Sequence, residues 1–112
     1  MYGKYVKERE GLDEIKTDKG FIHYKMVGES CIISDYFVLP EFRREGHGDF
    51  LGNMVFEICK DAGIKTVYCQ SDEDANRHDI SRAAILAFGF KEIDKNENIH
   101  IYSMGVLEWE KQ

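Results

Sequence analysis

The residues best suited to chemistry lie in Val38-Leu39-Pro40-Glu41-Phe42-Arg43-Arg44-Glu45-Gly46-His47-Gly48. An apolar run leads into this stretch, and helical spacing begins where it ends. Gly46 and Gly48 lack a Cβ, so an anion can approach the backbone closely. Free N–H groups at a helix start, with basic side chains nearby, suit the pyrophosphate of a nucleotide-containing ligand. Arg43 and Arg44 add charge, and Glu41 and Glu45 offset part of it. The plainer reading makes the glycines turn residues and the arginines surface charges.

Two further residues are candidates for proton transfer. Strand alternation puts Asp35 on one face with Ile33, Phe37 and Leu39, and an acid among apolar neighbours tends to hold its proton more tightly. Such a group suits a general base acting on an ammonium acceptor; the alternative is a hydrogen bond within the sheet. His78 lies at the mouth of the expected crevice and is the type that titrates near neutrality, with helix capping as its alternative. His23 and His100 read as strand surface residues, and Tyr36 and Tyr102 as packing residues that could substitute as an acid. The run Asp72-Glu73-Asp74 would attract a cationic amine, or is a solvated loop.

The elements that must position these groups follow from periodicity. Leu12–Thr17, Phe21–Val27 and Cys31–Leu39 read as strands of an antiparallel meander, turned at Thr17-Asp18-Lys19-Gly20 and Gly28-Glu29-Ser30. From Gly46 to Ala62 the residues Phe50, Leu51, Met54, Val55, Ile58 and Cys59 recur on one helix face, with Gly63 to end it. Lys65–Gln70 is the next strand, Ser71–Arg77 a polar loop, and Asp79–Phe88 a second helix ended by Gly89. Phe90–Ile93 and Ile99–Leu107 form a closing hairpin about Asn96-Glu97-Asn98. This order predicts an α/β fold: a mixed central sheet with one central parallel pair, a C-terminal hairpin, and helices packed on its faces. A ligand crevice is expected at the carboxyl ends of the parallel pair.

Composition narrows the function. The chain has 112 residues, read as a single domain over 1–112. Fifteen basic against 21 acidic residues give a net charge of −6, which argues against nucleic acid as a partner. No apolar run approaches membrane-spanning length, and no apolar segment follows the first residues as a secretory leader would require. Cys31, Cys59 and Cys69 read as reduced core residues of a cytoplasmic protein. Cysteines and histidines lack metal-ligand spacing, and no Gly-x-Ser-x-Gly elbow is present.

These features together resemble the GNAT superfamily of N-acetyltransferases that use acetyl-CoA. The family loop reads Arg/Gln-x-x-Gly-x-Gly/Ala, and Arg43-Arg44-Glu45-Gly46-His47-Gly48 fits its fixed positions. Val38-Leu39-Pro40 matches the Val-x-Pro that often precedes the loop, and Gly89-Phe90 matches the pair after the second helix. The resemblance covers about residues 21 to 106. It implies a bulged strand whose end, Phe37, Val38 and Leu39, pairs with pantetheine through its backbone. It also implies that N–H groups from Arg44 through Glu45, Gly46, His47 and Gly48 to Asp49 hold the pyrophosphate. Ser81 and Phe88 would line the far side of the coenzyme arm.

Two departures stand out. Many members carry Asn at the start of the second helix and Tyr seven residues later, the Tyr protonating the departing thiolate; here the positions hold His78 and Ile85. A thiolate with a pKa of about 8.5 leaves fairly easily without an acid. Residues 1–20 are also too few for the family's N-terminal helices, so the acceptor wall is open or completed by a partner in a homodimer. The expected function is acetyl transfer from acetyl-CoA to a primary amine, on a small molecule or a protein, by direct attack. Deprotonation falls to Asp35, His78 or a water. The alternative is a catalytically inactive CoA-binding or protein-interaction module with the same fold, and a purely structural interaction protein is a third.

Overall fold

The computed structural model describes residues 4–7 and 12–112. Residues 1–3 and 8–11, and the reading of the N-terminus that rests on them, lie outside the described residues.

Seven strands form one sheet: β1 (Lys4–Lys7), β2 (Asp13–Lys16), β3 (Gly20–Val27), β4 (Ser30–Val38), β5 (Thr66–Asp72), β6 (Lys91–Asn96) and β7 (Ile99–Gly105). Their order across the sheet is β1-β2-β3-β4-β5-β7-β6. Every neighbouring pair is antiparallel except β4 and β5, which are parallel and joined through helix α1 (His47–Asp61). Helix α2 (His78–Phe88) follows β5, and a short α3 (Val106–Glu110) follows β7. The mixed sheet with a single parallel pair is therefore as its alternating periods predict.

Alternation along the strands sorts the core. Ile15, Ile22, Tyr24, Cys31, Val67 and Tyr102 are buried on the face that meets the helices. From α1, Leu51, Val55, Phe56 and Cys59 close over them without exposed surface. The Phe56 ring packs against Phe88 of α2, Phe90 and Trp109 of α3, with centroids 5.6, 5.9 and 5.5 Å away. Burying a side chain of that size contributes about 2–3 kcal/mol. Trp109 Nε1 also donates to Asn53 Oδ1 at 2.8 Å, and Lys60 pairs with Glu110 at 2.9 Å, so α3 is fastened to α1. Among the described residues no helix is long and apolar enough to cross a membrane.

Several boundaries differ from the sequence reading. The strand expected to run to Leu107 ends at Gly105, whose N–H donates to the Glu108 carboxylate at 2.9 Å and so opens α3. Ser71 and Asp72 belong to β5 and not to a loop, because they pair with His100 and Ile99 of β7. The hairpin strand β6 extends to Asn96, and the chain turns through Glu97 at φ 55°.

Gly20 faces Val38 at the end of β4, beside the glycine loop. A Cβ there would sit 2.2 Å from the Phe37 carbonyl oxygen, a backbone atom that cannot rotate away. Gly20→Ala is therefore expected to cost about 2 kcal/mol or more, read as a lower urea midpoint at unchanged slope. A midpoint equal to the parent's would show that β3 and β4 do not approach this closely.

Candidate functional site

The parallel pair provides the crevice by coming apart. Ser30, Cys31 and Ile32 register with Thr66, Val67 and Tyr68, and beyond them β4 and β5 diverge. The space between holds about 260 Å³. One wall is Ile33, Ser34, Asp35 and Tyr36; the opposite wall is Cys69, Gln70, Ser71 and Asp72. Gly48, Asp49 and Gly52 of α1 and His78, Ser81, Ile85 and Phe88 of α2 close it beneath. The structure thus brings together Asp35, His78, Gly48, Asp49, Ser81 and Phe88 from the sequence candidates, while Phe37, Val38, Leu39 and residues 43–47 stand beside it.

A bulge helps to open the fork. Asp35 registers with His23 and Ile33 with Tyr24, which leaves Ser34 as an extra residue on β4. Asp35 is therefore not on the face of Ile33, as uninterrupted alternation predicts. It is exposed and not set among buried apolar groups. Tyr36 returns to the core side, and burial followed by the charge of Asp49 pushes its phenol up, so it keeps its proton. Burial alone pushes the Cys69 thiol up to about 12, so this crevice sulfur also stays protonated.

The loop after β4 is built for a bare helix start. Pro40–Phe42 makes one 3-10 turn; Arg44 at φ 72° and Gly46 at φ 81° adopt left-handed backbone. Gly46 is the N-cap of α1 and has no side chain to cap it, so the first-turn N–H groups remain available. The two arginines divide, one engaged and one facing solvent. Arg43 Nε donates to the Val38 carbonyl at 2.9 Å, and its guanidinium lies 5.4 Å over the Phe37 ring. Arg44 is exposed. Leu39 N–H bonds to the Lys19 carbonyl, so the Val38 carbonyl points the other way, toward the open side of β4. His47 has a structural role that its variable motif position did not suggest. Its Nε2 lies 2.6 Å from Thr17 Oγ1, which ties the loop to the β2–β3 turn. Burial, then Lys19, holds its pKa down.

A chain of polar side chains runs from the crevice between the sheet and α2. His78 Nε2 is 3.0 Å from Ser71 Oγ, which is 2.7 Å from the hydroxyl of Tyr102. Arg82 donates to that hydroxyl at 2.9 Å and also pairs with Glu92. His100 lies between carboxylates, with Nδ1 2.8 Å from Glu92 and Nε2 2.6 Å from Glu73. Glu73 receives Lys95 as well, at 3.0 Å. His100 is thus a buried residue and not the surface one expected, and the acidic run contributes Glu73 to it. No local pattern reveals this group, because its members come from β5 and the loop after it, α2, β6 and β7. Among the described residues no three of His, Cys, Asp and Glu are arranged to hold a metal ion.

Comparison with known proteins matches this geometry to one family. The sequence profile of the acetyltransferase (GNAT) family matches residues 19–90. Among curated proteins no sequence matches the chain. The PaiA N-acetyltransferase of Thermoplasma acidophilum, solved with coenzyme A, superposes with a TM-score of 0.73 at 18% identity. That match covers 84% of this chain and 59% of the other, so the chain spans little more than half of that relative's length. A GNAT acetyltransferase of Staphylococcus aureus matches with a TM-score of 0.72 at 16% identity, over 85% of this chain and 66% of that one. Nourseothricin acetyltransferase matches with a TM-score of 0.70 at 18% identity, over 92% and 70%. At these identities the solved structures attest the fold.

His100 makes the stability of this region depend on pH. Hydrogen bonds donated to Glu92 and then Glu73 hold its pKa above the ordinary imidazole value, and accepting from His100 holds both carboxyls below theirs. The imidazole's contribution is complete below its unfolded pKa and is lost as pH rises through the raised one. The carboxylates' contribution is complete above their unfolded pKa and is lost as pH falls through the lowered one. The thermal unfolding midpoint should be highest between about pH 4.3 and about pH 6.5. His100→Gln should flatten the decline on the neutral side; an unaltered decline would assign it to another group.

Proposed function

This chain belongs to the acetyltransferase (GNAT) family, and we propose that it transfers an acetyl group from acetyl-CoA to a primary amine by direct attack. The observation that carries this reading is the forked sheet. It joins a strand edge with an outward carbonyl at Val38 to a helix start with unshielded N–H groups at Gly46 and Gly48. A pantetheine arm has the amide chemistry to pair with such an edge, as a strand added to a sheet would. The bare N–H groups suit its pyrophosphate. The coenzyme A bound to the Thermoplasma relative supports the same ligand here.

Each candidate residue then has a role. Phe37, Val38 and Leu39 supply the edge, and the backbone at Val38, on the open side of β4, polarises the thioester carbonyl. Residues from Arg44 to Asp49 hold the diphosphate, with Arg43 bracing the end of β4. Ser81 and Phe88 line the far wall. Asp35, exposed at the mouth, draws a cationic amine of a small molecule or a protein. Cys69 is held as a thiol, which disfavours a sulfur nucleophile and supports direct attack. Tyr36, likewise held protonated, is the crevice phenol able to protonate the departing thiolate. Three buried free cysteines support a reducing, cytoplasmic setting.

A second reading has its own observation. Ile85 lines the crevice where many family members carry the acidic tyrosine, which favours a module that binds coenzyme A without turnover.

Calorimetry with acetyl-CoA, followed by thiol release in the presence of varied amines, separates the readings. The transferase binds and releases thiol only when an acceptor is present; the module binds and releases none. Gly46→Val with Gly48→Val should weaken coenzyme binding at least about tenfold, or about 1.4 kcal/mol, while the circular dichroism spectrum is retained. Unweakened binding by that folded variant removes the loop from the ligand site.

A further inference from the structure

Donor and acceptor chemistry fixes the direction of the polar chain behind the crevice. A guanidinium only donates, so the Tyr102 oxygen accepts from Arg82. Tyr102 is wholly buried, so its own O–H needs an acceptor, and Ser71 Oγ at 2.7 Å is the one within reach. Ser71, itself 8% exposed, then turns its O–H to His78 Nε2 at 3.0 Å. His78 Nε2 is therefore a lone-pair acceptor, and the neutral ring carries its hydrogen on Nδ1. Both Ser71 and His78 line the crevice, while Tyr102 and Arg82 stand behind them.

We propose that Ser71 and His78 act as a couple that removes the acceptor's proton, and that Tyr102 and Arg82 are positioning residues that set its direction. This rests on the acetyl-transfer reading. In the step, the amine N–H bond breaks and its proton joins Ser71 Oγ. The Ser71 O–H bond breaks and that proton joins the lone pair of His78 Nε2. The nitrogen keeps its electron pair for the acetyl carbon, and His78 ends as an imidazolium. The charged and titratable groups facing the ring are Asp79, whose Oδ1 is 4.0 Å from Nδ1, and His100, whose ring centroid is 5.2 Å away between Glu73 and Glu92. The proton passes on to solvent from Nδ1, on the side of the fully exposed Asp79 carboxylate.

The couple also answers a question of geometry. Hydrogen-bond reach between a hydroxyl and an imidazole, with the hydroxyl oriented by a third group, is the arrangement by which enzymes move a proton off a reacting atom. Here the third group is a phenol locked by a guanidinium, and among the described residues no carboxylate lies within hydrogen-bond distance of His78.

The test measures amine-dependent thiol release across pH, coenzyme binding by calorimetry, and imidazole nitrogen chemical shifts. Ser71→Ala and His78→Gln should each lower kcat about 100-fold. Coenzyme affinity should stay within about threefold. Tyr102→Phe should lower kcat less, about tenfold, and displace the pH profile, which a purely structural loss would not do. His78 should show the tautomer with hydrogen on Nδ1. Transfer by the parent that Ser71→Ala leaves unaltered overturns the couple and spares the acetyl-transfer reading. A parent that binds acetyl-CoA yet acetylates no amine overturns both. A ring bearing hydrogen on Nε2 at neutral pH overturns the couple whatever the activity.

Discussion

One hydrogen-bonding interruption organises this molecule: β4 and β5 share three register pairs and then part. A central strand ordinarily spends its N–H and C=O groups on both neighbours, and exposed ones tend to recruit another strand. Here the unspent groups line a crevice walled by α1 and α2, so they face a confined space and not a second molecule's sheet. The bulge at Ser34 and the bond from Arg43 to the Val38 carbonyl keep the strand end in place while it lacks a neighbour. Everything assigned to the site is reached from this fork, from the glycine helix start to the wall formed by α2.

Charge is distributed about the fork in an ordered way. Lys19, Arg43 and Arg44 stand by the loop, Lys19 near Glu45 and over the Phe42 ring, while Asp35 and Asp72 stand on the two facing walls of the crevice. Behind the rim, His100 and its two carboxylates keep β6, β7 and the segment after β5 in register, which holds Ser71 and Tyr102 where their hydroxyls meet.

Local rules carried the sequence reading far where contacts are local. The apolar spacing of Phe50, Leu51, Met54, Val55, Ile58 and Cys59 corresponds to α1, and Val38 to Gly48 corresponds to the loop. Period-two counting failed on Asp35 because one extra residue at Ser34 reverses the face of everything after it. Polarity made Ser71 look like a loop residue, although pairing with His100 across the sheet decides its conformation. His100 looked like a surface residue because its partners, Glu73 and Glu92, lie elsewhere in the chain. The apolar stretch through Leu107 concealed α3, whose start depends on a single carboxylate, that of Glu108.

The fastening of α3 to α1 has a mechanical consequence. The two leaves of the sheet, β1–β4 and β5–β7, meet at a narrow waist, so that waist alone holds their angle weakly. Helix α1 rests on β3 and β4, and α3 continues from β7. The Phe56–Trp109 stack, the Asn53 bond and the Lys60–Glu110 pair therefore act as a strut between the leaves. The width of the gap is set by side chains that never touch what enters it, so the gauge of the opening resides near the carboxyl terminus.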